Sequence, residues 1–107
     1  MSAFSRRKGA AGEREFINTF LRPFWPKACR NIDQYSDDKR DCLNVAGCHW
    51  QIKRQETTKV WEWIAQTEDE AAPTDLPIVA FRRNRSKWYC VVEAEELIAL
   101  LRLREAA

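Results

Sequence analysis

The sequence lacks any long apolar run. None of its 107 residues falls in a stretch of about 18 consecutive apolar residues, which argues against a membrane-spanning helix. The N-terminal residues are polar and basic, so we expect no secretory signal peptide. Repeats, low-complexity tracts and interdomain linkers are also missing, and the length fits one domain. With 11% aromatic residues, the chain is predicted to fold rather than to be disordered.

The cysteine spacing has none of the common motif patterns. The four cysteines form no C-x-x-C pair, and nothing marks the chain as secreted, so we expect reduced thiols in a cytoplasmic protein. Cys42, Cys48 and His49 would need a fourth ligand and a standard spacing to bind zinc, and neither is visible. The pattern therefore does not favour a zinc site.

A strong net charge is also absent. Eighteen basic residues against sixteen acidic ones give +2, but the charges are segregated along the chain. Residues 1–12 and 79–90 carry bases and no acid, whereas residues 60–76 carry acids and no base. This distribution fits a polyanion-binding face. It also fits ordinary solvated surface.

Apolar periodicity predicts an α/β domain with a mixed β-sheet. Helices are expected at 9–22, 58–71 and 93–104. Gly47 is expected at the turn of one hairpin, 41–46 with 48–55, and a second hairpin is expected at 76–82 with 87–92. A strand at 27–32 would be short. The predicted order is α-β-β-β-α-β-β-α.

Glu13 and Glu15 lie on different sides of the first predicted helix. Glu13 falls near the middle of the apolar stripe that contains Phe16 and Ile17, while Glu15 falls opposite it. A buried carboxylate costs several kcal/mol unless it is paired or bound to a cation, but Glu13 also fits a solvated first turn.

Trp61 and Trp63 cannot share one helix face, so we expect one in the core and the other at an edge or a subunit contact.

The central hairpin brings together residues that suit metal chemistry. Period-two alternation puts Gln51 and Lys53 on one strand face, and the turn brings Asp41 opposite them. A carboxylate and an amide oxygen suit Mg²⁺, and a nearby lysine can orient or deprotonate water. A solvated face with an Asp–Lys ion pair explains the same pattern. His49 shares this face and could act as a base, although a structural role is favoured.

The motif order resembles the PD-(D/E)xK nuclease superfamily. Lys8-Gly9-Ala10-Ala11-Gly12-Glu13-Arg14-Glu15 resembles the K-G-x-x-x-E-R-E opening of small archaeal-type Holliday junction resolvases and their phage-encoded relatives. Asp41 and then Gln51-Ile52-Lys53 resemble the D and E-x-K that follow. The resemblance implies a restriction-endonuclease-like core and one nuclease domain over residues 1–107, with residues 1–8 as a basic arm. It also implies that the protein acts in the cytoplasm. For a phage-encoded enzyme, this would be the cytoplasm of the bacterial host.

The resemblance implies roles position by position. Asp41 and Gln51, with the Ile52 carbonyl, would hold Mg²⁺, which Mn²⁺ could replace. Glu13 would hold a second metal, directly or through water, and Lys53 would be the catalytic lysine. The implied DNA phosphate contacts are Arg6, Arg7, Lys8, Arg14, Lys39, Arg40 and Arg54.

One position departs from the family pattern. Gln51 stands where an acid is expected, and its neutral oxygen would bind Mg²⁺ more weakly. Gln55, one alternation further, is a lesser candidate for the same place.

The leading prediction is a Mg²⁺-dependent endonuclease that cuts branched DNA such as Holliday junctions, as a homodimer. The dimer surface is expected on the last helix or on the tryptophan-bearing helix. A nicking or restriction-type nuclease on duplex DNA, and an inert DNA-binding module of the same fold, remain as alternatives.

Overall fold

The computed structural model describes residues 3–33 and 37–106, with the backbone alone for 3–7. Over these residues, three α-helices and five strands follow the predicted order and form an α/β fold with a mixed sheet. The elements are α1 (Ala3–Phe16), a π-helical turn (Ile17–Leu21), β1 (Cys29–Arg30), β2 (Cys42–Leu43), β3 (Cys48–Arg54), α2 (Val60–Glu70), β4 (Leu76–Arg82), β5 (Tyr89–Val91) and α3 (Ala94–Ala106).

The first helix ends in a π-helical turn instead of continuing regularly to residue 22. Arg22 N donates to Ile17 O at 2.9 Å, and Pro23 then prevents further helix. Ile17 and Leu21 are buried, but Phe20 is 44% exposed. The wider π turn changes the angular spacing of side chains, and Phe20 packs on Phe16 from the surface, with ring centroids 5.2 Å apart.

The main sheet has three strands in the order β3-β4-β5. β3 and β4 are parallel and are joined by α2, as a parallel pair requires a crossover. β4 and β5 are antiparallel, which confirms the second predicted hairpin. The parallel register sets Gln51 beside Val79 and Lys53 beside Phe81.

The first predicted hairpin is wrong as a strand pair. β2 has two residues and pairs antiparallel with β1, in a separate two-stranded sheet. The extended segment ends early because Asn44 takes a φ of 67°, a conformation held by a 3.0 Å hydrogen bond from its Nδ2 to Lys27 O. One contact of the expected kind remains, from Asp41 N to Trp50 O at 2.9 Å.

The sheet lies between α1 and α2. On one face Phe16 of α1 packs on Trp50, with ring centroids 5.2 Å apart. Alternation puts Phe81 on the other face, where Trp63 of α2 packs on it at 5.8 Å. Trp63 is 4% exposed and Trp61 81% exposed, which confirms that the two tryptophans divide between core and surface.

The last helix covers no part of this core. None of the residues of α3 is buried, although five of them are large and apolar: Leu97, Ile98, Leu100, Leu101 and Leu103. A helix that is apolar on several sides is normally covered by other protein. Among the residues that the structure describes, no helix has the length and apolar character needed to cross a membrane.

Candidate functional site

A cavity of about 630 Å³ opens where α1 meets the end of β3. It gathers residues that lie up to 49 positions apart in the sequence, from Lys8 to Thr57. The predicted site residues that line it are Lys8, Glu13, Asp41, Gln51, Ile52, Lys53 and Arg54, together with the lesser candidate Gln55.

The close approach of α1 to β3 depends on Gly12. A Cβ atom at this position would lie 2.7 Å from Arg54 Cβ, which is too short for two carbon atoms. The absence of a side chain therefore lets the helix reach the strand, and the next residue, Glu13, enters the wall of the cavity.

Asp41 is held against β3 from two sides. Its backbone N–H donates to Trp50 O, and its Oδ2 accepts a 2.7 Å hydrogen bond from Ile52 N. Burial, and after it the nearby negative charge of Glu13, raise the pKa of Asp41, which reaches about 7. The Ile52 N–H and the positive charge of Lys53 act in the opposite direction on this pKa. The Asp41 carboxylate is thus fixed in place, and the positive charge near it only partly compensates its negative charge.

Gln51 brings a buried oxygen to the same cavity. The residue is 4% exposed, and its Oε1 accepts no hydrogen bond from any of the described residues. A buried acceptor without a partner costs about 1–3 kcal/mol. With the Asp41 carboxylate, this amide oxygen makes a hard-oxygen donor set, the kind that Mg²⁺ and Mn²⁺ take. The residues present therefore fit a divalent cation.

Glu13 has a partner that the sequence did not suggest. Arg30 of β1 donates from Nε to Glu13 Oε2 at 3.1 Å, and the two side chains are about equally exposed, at 25% and 20%. Arg30 also lines the cavity. Nothing in the spacing of a two-residue strand singles out Arg30, because only the pairing of β1 with β2 brings it near α1.

The wall of this cavity also contains Lys53, Lys8 and Glu56. Lys53 is half-buried and close enough to lower the pKa of Asp41. Lys8 Nζ lies 3.6 Å from Glu56 Oε1, and Glu56 also accepts a hydrogen bond from Asn84 N. Glu56 was not predicted, since it follows the last strand residue without any motif.

Several predicted residues lie elsewhere. Arg14 is exposed and lines a different cavity. Arg40 donates from Nε to Asp38 Oδ1 at 2.9 Å, and neither it nor Lys39 lines the candidate site. The side chains of Arg6 and Arg7 lie outside the described residues.

His49 does not reach the cavity, although it shares a strand face with Gln51. It is 2% exposed, and its Nε2 lies 3.9 Å from Glu70 Oε2 of α2. Burial lowers the pKa of His49. The position agrees with the structural role favoured for it over that of a base.

A second group of charges holds α1 to the sheet. Glu15 Oε1 accepts hydrogen bonds from Arg82 Nη1 at 2.6 Å and from Trp88 Nε1 at 2.7 Å. Arg54 Nη1 lies 4.0 Å from the other oxygen of Glu15. Helical periodicity set Glu15 opposite the apolar stripe. Arg82 at the end of β4 and Trp88 just before β5 reach it there, and Glu15 is half-buried.

Among the described residues, no three His, Cys, Asp or Glu side chains cluster as a metal site. The candidate centre has two carboxylates, and its further oxygen comes from an amide. Comparisons with protein-family models, with curated proteins and with solved structures find no match to this chain.

Proposed function

We propose that this protein is a metal-dependent DNA endonuclease of the PD-(D/E)xK type that hydrolyses phosphodiester bonds in branched DNA such as four-way junctions. The observation that carries the proposal is the meeting of Glu13, Asp41, Gln51 and Lys53 in one cavity. Gln51 and Lys53 are neighbours on one strand face by alternation alone. The informative part of the observation is that Glu13 of α1 and Asp41 join them in the same cavity.

In this proposal Asp41, Gln51 and the Ile52 carbonyl hold Mg²⁺ or Mn²⁺. The ion would stabilise charge on a phosphate oxygen and lower the pKa of water at the site. The buried, unpartnered Oε1 of Gln51 and the fixed carboxylate of Asp41 support this assignment. Glu13 shares one oxygen with Arg30, so its part in holding a second cation would use the other oxygen or a water.

Lys53 has the catalytic role in this assignment. Its ammonium group orients the water that attacks phosphorus in line with the leaving oxygen, and it offsets the charge that builds on the phosphate. Only the neutral amine form of Lys53 could take the proton of that water. Lys8 and Arg54 line the same cavity and would hold the phosphates on either side of the scissile bond. Recognition of branched DNA then depends on its shape and deformability rather than on base contacts.

We propose that the enzyme is a homodimer paired through α3. The five exposed apolar residues of this helix need a cover, and its charges suit a second copy. Glu95 and Glu96 lie in the first turn and Arg104 in the last. Antiparallel pairing about a two-fold axis brings each acidic turn beside a basic one. Two active sites in one dimer would allow two cuts at a junction.

Part of the α2 surface would lie next to this proposed α3 interface. A cavity of about 320 Å³ lies between α2 and the residues just before α3, lined by Trp61, Ile64, Val92 and Glu93 among others. The exposed Trp61 would therefore flank the α3 interface.

The test is a paired binding and cleavage assay on a four-way junction and a linear duplex of the same sequence, with Mg²⁺, Mn²⁺ or EDTA. We expect junction cleavage with either metal, and its loss in Asp41→Asn and Lys53→Ala while DNA binding persists. Lys59→Ala is the matched control, because Lys59 is exposed and outside the cavity lining.

The same assay separates the alternatives. Equal cleavage of duplex and junction would favour a nicking or restriction-type nuclease. Binding without cleavage under any metal would favour the inert DNA-binding module, for which the neutral Gln51 is the supporting feature. Cleavage that survives in both Asp41→Asn and Lys53→Ala would contradict the site assignment itself.

A further inference from the structure

A second, strongly basic cavity lies beside the candidate site. It has a volume of about 310 Å³ and lies between the C-terminal part of α1, the π-helical turn and β1. Its polar lining consists of Arg14, Asn18, Arg22 and Arg30, with Ile17, Cys29 and Ile32 as the remaining wall. Over the residues that the structure describes, the lining contains three guanidinium groups and no carboxylate.

The three arginines are held to different degrees. Arg22 donates from Nε to Ala28 O at 2.9 Å, which fixes its side chain and leaves its terminal nitrogens unused by that bond. Arg30 is oriented by its Nε bond to Glu13. Arg14 is exposed and has no ion-pair partner among the described residues. Two oriented guanidiniums and one free one therefore line this space. Arg30 is paired with Glu13, whereas Arg14 and Arg22 form no ion pair with any described residue.

Arg30 connects the two cavities, because it lines both of them. An anion in the basic cavity would thus lie directly beside the Glu13–Asp41–Gln51–Lys53 centre. A nucleic-acid strand that crosses that centre carries further phosphate charges along the same backbone, and the cavity that shares Arg30 with the centre could receive one of them.

We propose that the Arg14–Arg22–Arg30 cavity binds a backbone phosphate of the DNA strand that passes through the candidate active site. This inference rests on the proposed function. Guanidinium groups bind phosphate oxygens in bidentate fashion, and like charges gathered in one concavity attract an anion. None of the described residues that line the cavity is aromatic, so these residues offer no platform for a stacked base. The contact is therefore to phosphate and independent of sequence.

The experiment measures DNA binding in EDTA, where no cleavage occurs, over roughly 50–200 mM salt. Each lost phosphate contact lowers the slope of log K against log salt by about 0.9 on duplex DNA. We expect Arg14→Gln and Arg22→Gln each to lower the slope by about that amount and to weaken binding several-fold. Lys27→Gln is the matched control, because Lys27 is an exposed cation of the same loop outside the cavity.

A direct probe uses inorganic phosphate. Titration of the ¹⁵N-labelled protein should shift the Nε–H resonances of Arg14 and Arg30 before those of Arg83 and Arg85 in the β4–β5 turn. Unchanged slopes in both arginine variants, or an equal loss in Lys27→Gln, would overturn the inference. Because Arg14 is exposed, Arg14→Gln is expected to fold even if Arg22→Gln does not.

Failure of this inference is distinguishable from failure of the proposed function. Metal-dependent cleavage with unaltered salt slopes in the variants would contradict the phosphate-binding inference and leave the proposed nuclease function standing. Reduced slopes in a protein that never cleaves DNA would leave the cavity and remove the nuclease. Absence of DNA binding by the unaltered chain would remove both.

Discussion

The backbone N–H of Ile52 donates to Asp41 Oδ2 over 2.7 Å. This bond fixes the carboxylate in the middle of β3, between the positions of Gln51 and Lys53, without any regular pairing of β2 with β3. One oxygen of Asp41 is thereby committed to the backbone. The pKa of Asp41 still rises to about 7, since burial and the charge of Glu13 outweigh the hydrogen bond and Lys53.

This raised pKa predicts how stability depends on pH in the metal-free protein. Asp41 would keep its proton up to about pH 7 in the folded chain, but would lose it near its ordinary value of 3.8 when unfolded. Between these values the folded state binds the extra proton, so the free energy of unfolding falls as pH rises, by at most about 1.4 kcal/mol per unit.

Asp41→Asn removes this dependence. We expect the variant to be more stable than the unaltered chain in EDTA at about pH 8, with the difference shrinking toward about pH 5. Urea unfolding at both pH values measures it. A difference between the two proteins that stays constant with pH would contradict the raised pKa.

Gln51→Glu tests whether this side chain is a metal ligand. A second carboxylate should bind Mg²⁺ more tightly, so we expect cleavage to be kept or raised and the Mg²⁺ concentration for half-maximal activity to fall several-fold. In EDTA the variant should lose about 1–3 kcal/mol of stability, since the new charge is buried without a partner.

The comparison for this substitution is Gln55→Glu, which adds the same charge at an exposed position of the same cavity and tests the lesser candidate for the ligand. It should change neither quantity to the same extent. A large loss of activity in Gln51→Glu with the fold intact would count against a ligand role for Gln51.

The two tryptophans of α2 should differ sharply in their contribution to stability. Trp63→Ala removes a ring that is 4% exposed and packed on Phe81, and should cost about 3–5 kcal/mol. Trp61→Ala, at 81% exposure, should change the free energy of unfolding by no more than about 0.5 kcal/mol. Urea unfolding at one fixed protein concentration compares them, and equal costs would argue against the described packing of α2.

The proposed dimer predicts that α3 controls the oligomeric state. Leu101→Glu places a charge within the exposed apolar residues of this helix and should give a monomer in sedimentation equilibrium. Glu96→Arg should weaken the dimer, and adding Arg104→Glu in the same chain should restore it, because antiparallel pairing sets the two ends together. A monomeric unaltered chain at micromolar concentrations, or a failure of the second change to restore pairing, would exclude this interface.

Local patterns of the sequence carry much of the fold. The 3.6-residue and two-residue periods predicted all three helices and the β4–β5 hairpin, because the spacing of apolar residues is visible along each element by itself. This holds even for α3, none of whose residues is buried. The division of Trp61 and Trp63 followed from the same rule. The hairpin of residues 41–55 was wrong because alternation cannot identify a strand's partner, and Asn44 turns the chain away by a side-chain bond to Lys27.

The candidate centre was predictable only in part. The sequence by itself determined which oxygen and ammonium groups are available at Glu13, Asp41, Gln51 and Lys53, since residue type and motif order are local properties. Only the tertiary structure decided that they line one cavity and that Arg30 pairs with Glu13. It also decided that Glu15 accepts a hydrogen bond from Arg82 of β4 instead of facing solvent. Those contacts join residues 17 to 73 positions apart, and no periodicity along the chain encodes a distance that forms only when helix and sheet pack together.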